Sequence, residues 1–128
     1  MSILEHITNS IQQSKKLLAI LLDPDKIDIE RQDLAFLAEK INKIADFIFV
    51  GGSTVENGAT QKLVKALKKH SQLPIIIFPG HYSQITDEAN ALLFLSLISG
   101  DNPEYLIHQQ VKSIPKLKNA SLEIMPWL

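Results

Sequence analysis

The chain has 128 residues, of which 45% are hydrophobic and 21% charged, with a formal net charge of −1 at pH 7 and an isoelectric point near 6.4. It is long enough to bury the core of one domain, and its balanced charge argues against a nucleic-acid partner, whereas a small phosphorylated ligand needs only local donors. The absence of cysteine excludes disulfides and thiolate metal sites and fits a reducing cytoplasm.

No segment has the length of a membrane span or the apolar region of a secretory signal. The longest purely apolar run, Leu17 to Leu22, is far shorter than the ~20 residues that cross a bilayer. Residues 1–16 mix isolated apolar residues with polar ones, unlike a signal peptide. We therefore expect one cytoplasmic domain over residues 1–128, without a transmembrane segment.

Short apolar runs alternate with amphipathic segments along the chain. The spacing Ser2-Ile-Leu-Glu5 is that of a capping box and predicts a first helix over residues 2–14. A strand follows at 17–22, ended by Asp23-Pro24, and Asp28 is the predicted N-cap of a second helix. The predicted apolar stripe of that helix consists of Leu34, Leu37, Ala38, Ile41, Ile44 and Ala45.

The rest of the sequence repeats this alternation. Strands are predicted over 47–50, 74–78, 91–95 and from 122 onwards, and helices over 60–70 and 103–113. Strands that are apolar on both faces, linked by helical crossovers, indicate a parallel α/β sheet. The pattern alone does not separate an open doubly wound sheet from a barrel.

Polar and glycine residues follow the strands. They are Asp23-Pro-Asp25-Lys26, Gly51-Gly52-Ser53-Thr54, Pro79-Gly80-His81 and Ser96. In both α/β architectures, ligands bind at the carboxyl ends of the strands. The sequence therefore predicts a functional site at this rim, which combines an acid, a glycine pair with a hydroxyl, and a glycine with an imidazole.

Each of these residues has a functional and a structural interpretation. Asp23 can hold Mg²⁺, or it can be a turn residue ahead of proline. Gly51 and Gly52 can let the backbone approach a phosphate, with Ser53 reaching a metal, or Ser53 can simply cap a helical turn. His81 can orient a substrate or act as an acid or base, or it can be an incidental loop residue.

Four motifs, in order and spacing together, resemble the geranylgeranylglyceryl phosphate synthase family and its bacterial heptaprenylglyceryl phosphate synthase relatives. They are Leu22-Asp23-Pro24-Asp25-Lys26, Val50-Gly51-Gly52-Ser53-Thr54, Ile77-Phe78-Pro79-Gly80, and Leu93-Phe94-Leu95-Ser96-Leu97-Ile98 with Asn102-Pro103. The resemblance runs from about Leu17 to Met125. It implies a (β/α)8 TIM-barrel-like fold of which only the first four to five units are present, a half barrel.

The resemblance also implies an activity, which is Mg²⁺-dependent transfer of a geranylgeranyl or similar prenyl group from its diphosphate to sn-glycerol 1-phosphate, in isoprenoid phospholipid biosynthesis. The metal positions of the family match Asp23 and Ser53. The expected substrate-binding residues are Gly51, Gly52, Gly80 and His81, and residues such as Phe78 and Phe94 would line a groove for the prenyl tail.

A (β/α)8 domain normally needs about 250 residues, and the resemblance implies that the phosphate-binding loops for the glycerol phosphate come from later strands that this sequence lacks. We therefore expect a chain that is inactive alone and that either self-associates into a pseudo-barrel through open sheet edges or is unstable. Two alternatives are a non-catalytic half-barrel scaffold and another phosphate-handling barrel enzyme, such as an isomerase or lyase.

Overall fold

Within the part of the chain that the structure describes, five parallel strands form one sheet whose order in space follows their order along the chain. The computed structural model describes residues 2–30, 33–52, 58–78, 85–94 and 123–126. Its elements are α1 (Ile3–Gln12), β1 (Ala19–Leu22), α2 (Leu34–Ile44), β2 (Phe47–Val50), α3 (Ala59–Lys68), β3 (Ile75–Ile77), β4 (Ala91–Phe94) and β5 (Glu123–Pro126). The strands pair in the order β1-β2-β3-β4-β5, so the predicted parallel α/β sheet is confirmed. The helix predicted at 103–113 lies outside the described residues.

This strand order separates the two architectures that the sequence pattern left open. A doubly wound sheet reverses its strand order at a switch point and carries helices on both faces. Here α2 and α3 share one face, because Leu34 and Leu63 belong to the same core cluster as Ile48 and Ile77. An order without reversal, covered on one face by the crossover helices, is that of a barrel.

Successive strand residues alternate between the two faces of the sheet. The face beneath α2 and α3 buries Leu22, Ile48, Val50, Ile75, Ile77 and Leu92. The opposite face, which we call the inner face, carries Ala19, Phe47, Phe49, Ile76, Phe78, Ala91, Leu93 and Met125. Both faces are apolar, which explains why the strand sequences show no alternation of polar and apolar residues.

Helix α1 lies at the amino ends of the strands. Ile3 and Ile7 pack against the inner face. The Ile3 amide donates to the Glu123 carboxylate at the start of β5, at 2.9 Å. The His6 ring meets the Phe47 ring edge-on, with 5.8 Å between the centroids. The helix therefore packs at the end of the sheet opposite to the predicted site.

Of the helix caps predicted at Ser2 and Asp28, the first is confirmed and the second is wrong. The Ser2 hydroxyl accepts the Glu5 amide and the Glu5 carboxylate accepts the Ser2 amide, both at 3.1 Å, so the capping box is present. The N-cap of α2 is Asp33, whose carboxylate accepts the amide of the third helical residue. Asp28 instead accepts the Glu30 amide at 3.0 Å in a local turn, which competes with a helical cap.

The predicted stripe of α2 is correct except at its end. Leu34, Ala38, Ile41 and Ala45 are buried and Leu37 packs against the core, whereas Ile44 is 64% exposed. Ile44 lies seven residues after the half-buried Leu37, at the edge of the stripe. In the last turn of the helix, this edge position faces solvent.

Among the described residues, the hydroxyl of Thr60, in the first turn of α3, is buried and has no hydrogen-bond partner. Thr60 is 2% exposed and lies on the same helix face as the buried Leu63, Val64 and Leu67. Burying an unsatisfied hydroxyl costs free energy that an isosteric methyl group avoids.

We expect Thr60→Val to raise the free energy of unfolding by about 1 kcal/mol, as measured by urea denaturation. Thr8→Val is the matched control, since Thr8 is an exposed helical threonine whose hydroxyl donates to Leu4; it should change stability by less than about 0.5 kcal/mol. A destabilised Thr60→Val variant would show that the hydroxyl has a stabilising partner.

Candidate functional site

Asp23 lies directly after β1, at the carboxyl end of the sheet, and is half-buried. Its backbone carbonyl accepts the Lys26 amide and its carboxylate Oδ1 accepts the Asp25 amide, both at 3.0 Å. Pro24 is buried, whereas Asp25 and Lys26 are exposed. Asp23 is therefore a turn residue, and the same turn fixes the rotation of its carboxylate.

Gly51 lies directly after β2 and is in close contact with the ends of β1 and β3. The Gly51 amide donates to the Leu22 carbonyl at 3.1 Å, and the Phe78 amide donates to the Val50 carbonyl at 2.9 Å. A Cβ atom at position 51 would overlap the carbonyl oxygen of Phe78. Glycine is needed here because the backbone of β3 occupies the space of a side chain.

Gly52 lies against the carboxylate of Asp23. A Cβ atom at position 52 would come within 2.7 Å of Asp23 Oδ1 and within 2.8 Å of Cγ and Oδ2. Among the described glycines, only Gly58 has a positive φ, of 86°, so the backbone conformation at 51 and 52 does not itself require glycine. The structure thus brings the Asp-Pro-Asp and Gly-Gly segments into contact through Asp23 and Gly52.

Three of the predicted site residues lie outside the described part of the chain: Ser53, Gly80 and His81. Their roles stay predictions, as do the proposed contacts of the prenyl tail with Phe78 and Phe94. Of the predicted site residues, the structure locates Asp23, Gly51 and Gly52.

An apolar surface lies on the inner face at the carboxyl ends of β1, β2 and β3. The Phe49 and Phe78 rings stack at 6.2 Å between centroids, 24° from parallel. Leu21 pairs in register with Phe49 and is 58% exposed. Sequence reasoning did not single out Leu21 or Phe49, because in a strand that is apolar at every position the inner-facing residues carry no distinguishing signal.

The described residues contain no group of three His, Cys, Asp or Glu side chains able to hold a metal ion. Among the described residues, a metal at this rim would have the Asp23 carboxylate as a candidate ligand, completed by hydroxyl, phosphate or water oxygens. A hard cation that binds one or two protein oxygens, as Mg²⁺ does, fits that donor set. The contact between Gly52 and the Asp23 carboxylate also fits a metal site, because it restricts the position of the carboxylate.

A cleft of about 560 Å³ lies at the other end of the sheet, ahead of β3. The Ser71 hydroxyl donates to the Asn42 side-chain oxygen at 2.6 Å, and the Asn42 side-chain nitrogen donates to the His70 carbonyl at 3.2 Å. These bonds tie α2 to the chain that leaves α3. At the amino end of a barrel, such contacts serve stability.

The model of the PcrB family matches residues 9–127. The chain belongs to this family. Its similarity to individual proteins is consistent with that assignment: it is 50% identical over 122 residues to the geranylgeranylglyceryl phosphate synthase of Flavobacterium johnsoniae, covering 94% of this chain and 49% of that protein. It is 47% identical over 124 residues to the enzyme of the same name from Zunongwangia profunda, covering 97% and 52%.

Solved structures share the fold of this PcrB-family chain. The (S)-3-O-geranylgeranylglyceryl phosphate synthase of Thermoplasma acidophilum, in complex with its substrate sn-glycerol-1-phosphate, superposes with a TM-score of 0.82 at 32% identity, covering 97% of this chain and 50% of that one. A wild-type GGGPS from Thermoplasma volcanium gives a TM-score of 0.82 at 30% identity, covering 98% and 50%.

The chain therefore has the α/β fold of half a TIM barrel, as the sequence predicted. It spans about half the length of the curated relatives it matches. Within the described ranges, every helix is too short or too polar to cross a bilayer.

Gly51→Ala should destabilise the PcrB-family chain by about 2 kcal/mol or more, because the new methyl group meets backbone that cannot move aside. Gly58→Ala is the control: it adds a methyl group to open space at a positive φ and should cost about 1 kcal/mol. Urea denaturation of the two variants measures both effects. Equal losses would contradict the close approach of β2 and β3 at Gly51.

Proposed function

We propose that this chain supplies the metal- and diphosphate-binding half of a prenyltransferase site. The observation that carries the proposal is the half-buried Asp23 carboxylate, seated against Gly52 at the carboxyl end of a parallel sheet. The reaction is transfer of a geranylgeranyl or similar prenyl group from its diphosphate to the hydroxyl of sn-glycerol 1-phosphate. The names of the relatives and the ligand bound in the T. acidophilum structure support this choice of reaction and acceptor.

Magnesium is the proposed cofactor, and held at this rim it would supply positive charge next to the diphosphate leaving group. Asp23 and Ser53 are the proposed protein ligands. Half burial of Asp23 supports this role, because an ion pair is screened less there than at a fully exposed site. The residues proposed to bind the diphosphate are Gly51, Gly52, Gly80 and His81.

The apolar surface formed by Leu21, Phe49 and Phe78 is proposed to keep water from the reacting end of the prenyl group. It lies on the inner face at the same end of the sheet as Asp23. Water that reached the allylic carbon would give hydrolysis instead of transfer to glycerol phosphate. We further propose that the chain acts in the cytoplasmic biosynthesis of isoprenoid phospholipids, the class to which the proposed product belongs.

The metal site is tested by titrating the ¹⁵N-labelled chain with Mn²⁺, alone and then with inorganic diphosphate, and following paramagnetic broadening of its amide signals. We expect the amides of Asp25, Lys26, Gly51 and Gly52 to broaden at the lowest Mn²⁺ concentration. Asp23→Asn keeps the shape and the turn acceptor but removes the charge, so it should weaken this response at least tenfold.

Asp28→Asn is the matched control, because Asp28 makes the same type of turn, to the Glu30 amide at 3.0 Å. It should leave the response of the wild-type chain unchanged. Broadening that is insensitive to Asp23→Asn would overturn the assignment of the metal site.

A transfer assay with radiolabelled prenyl diphosphates, sn-glycerol 1-phosphate and Mg²⁺ then tests the reaction. Any turnover by the chain or its assembly should be lost in Asp23→Asn and kept in Asp28→Asn. Turnover that survives Asp23→Asn contradicts the proposal, and Mn²⁺ binding without turnover in any assembly favours the scaffold alternative.

Self-association through the sheet edges is a further part of the proposal. Leu21 on β1 is 58% exposed and Ile124 on β5 is 44% exposed, and both strands are edges of the described sheet. Unpaired edges with exposed apolar residues favour pairing with another copy.

Light scattering coupled to size exclusion should therefore give a mass above the 14.3 kDa of one chain. Leu21→Lys and Ile124→Lys should shift the mass towards the monomer, because a charge on an edge strand opposes pairing. Ile11→Lys, on the 67% exposed Ile11 of α1, should not. A folded wild-type monomer at high concentration would contradict edge association.

A further inference from the structure

Gly52 and Asp23 show a steric relationship that the sequence interpretation of the glycine pair does not include. That interpretation gives Gly52 the task of letting backbone approach a phosphate. In the structure, the space that a side chain at position 52 would fill is already taken by the three terminal atoms of Asp23, at 2.7 to 2.8 Å from the ideal Cβ position. The atoms that exclude a side chain at position 52 therefore belong to the chain itself and not to a bound ligand.

The φ angle of Gly52 does not require glycine. Its φ lies outside the left-handed region, which among the described glycines only Gly58 occupies. A residue with a side chain could adopt the same backbone conformation without strain. Glycine is therefore required at position 52 because of the adjacent Asp23 carboxylate.

Two contacts thus set the position of that carboxylate. The Asp25 amide donates to Oδ1 at 3.0 Å, and the carboxylate lies in the space that a side chain of residue 52 would occupy. Asp23 and Gly52 meet because Leu22 pairs with Val50 in register, which brings the residues that follow both strands to the same level. A carboxylate held in one rotamer loses less conformational entropy when it binds a cation.

We propose that Gly52 is a positioning residue. Because it has no side chain, the Asp23 carboxylate can occupy the space beside it, and this contact keeps the carboxylate in the orientation that binds the divalent cation. This inference rests on the proposed metal role of Asp23. It assigns Gly52 an action on the metal ligand, separate from any approach to a phosphate.

The test uses Gly52→Ala, with Mn²⁺ alone as the probe. The obstructing atoms are the end of a side chain, so the carboxylate can turn away and the chain keeps its fold. We expect the Mn²⁺ affinity, read from amide broadening, to fall at least tenfold and the Asp25 amide signal to shift as its hydrogen bond to Oδ1 is lost. Gly58→Ala, a glycine with open space around it, should bind Mn²⁺ like the wild-type chain.

A double-mutant cycle separates positioning from a general effect on folding. Gly52→Ala should lower the urea midpoint when Asp23 is present and leave it unchanged in an Asp23→Ala background, where the obstructing atoms are absent. An equal loss in both backgrounds would overturn the proposal. A Gly52→Ala variant whose Mn²⁺ affinity is within twofold of wild type would also overturn the proposal. This includes the case in which the variant binds Mn²⁺ normally and only its response to added inorganic diphosphate is weaker.

The outcomes also distinguish this proposal from the one on which it rests. If Asp23→Asn leaves Mn²⁺ binding unchanged, the metal site itself is wrong. If Asp23→Asn weakens binding but Gly52→Ala does not, Asp23 keeps its role and the positioning role of Gly52 is wrong.

Discussion

The parallel pairing of β1 with β2 is the interaction on which the site depends. Its register places Leu22 opposite Val50, so the segments that follow the two strands leave the sheet side by side. The contact between Asp23 and Gly52 is a direct consequence. Slipping one strand by a single residue would turn the inner-face residues to the other face and separate the carboxylate from its seat.

The two glycines of this rim have different physical reasons to be glycine. At Gly51 the constraint is the carbonyl oxygen of Phe78, a backbone atom directly after the next strand. At Gly52 it is the carboxylate of Asp23, which can rotate. One glycine is therefore tied to the assembly of the sheet and the other to the orientation of a functional group, although they are adjacent in the sequence.

Much of this arrangement could be predicted from the sequence, because it follows from local rules. Apolar runs on both sides of helical segments predicted a parallel sheet, and the position of Asp23 directly after a strand predicted a place at its carboxyl rim. The capping box at Ser2 was predicted for the same reason, since its two hydrogen bonds join residues three apart.

The rest depends on relations that a local pattern does not contain. Asp28 and Asp33 are both plausible caps, and which one begins α2 depends on the turn that Asp28 makes with Glu30. The stacking of Phe49 on Phe78 and the seat of Asp23 at Gly52 require the register of neighbouring strands.

The proposed metal site requires that the carboxylate of Asp23 bind a divalent cation at the carboxyl rim of this PcrB-family chain. The most direct test is an anomalous difference map from crystals of the chain grown with Mn²⁺ and inorganic diphosphate. Cation binding by Asp23 predicts a peak about 2.1 Å from one of its carboxylate oxygens, close to the distance expected for Mg²⁺ and its oxygen ligands. Bound diphosphate with the metal peak held by other residues, away from Asp23, would contradict it.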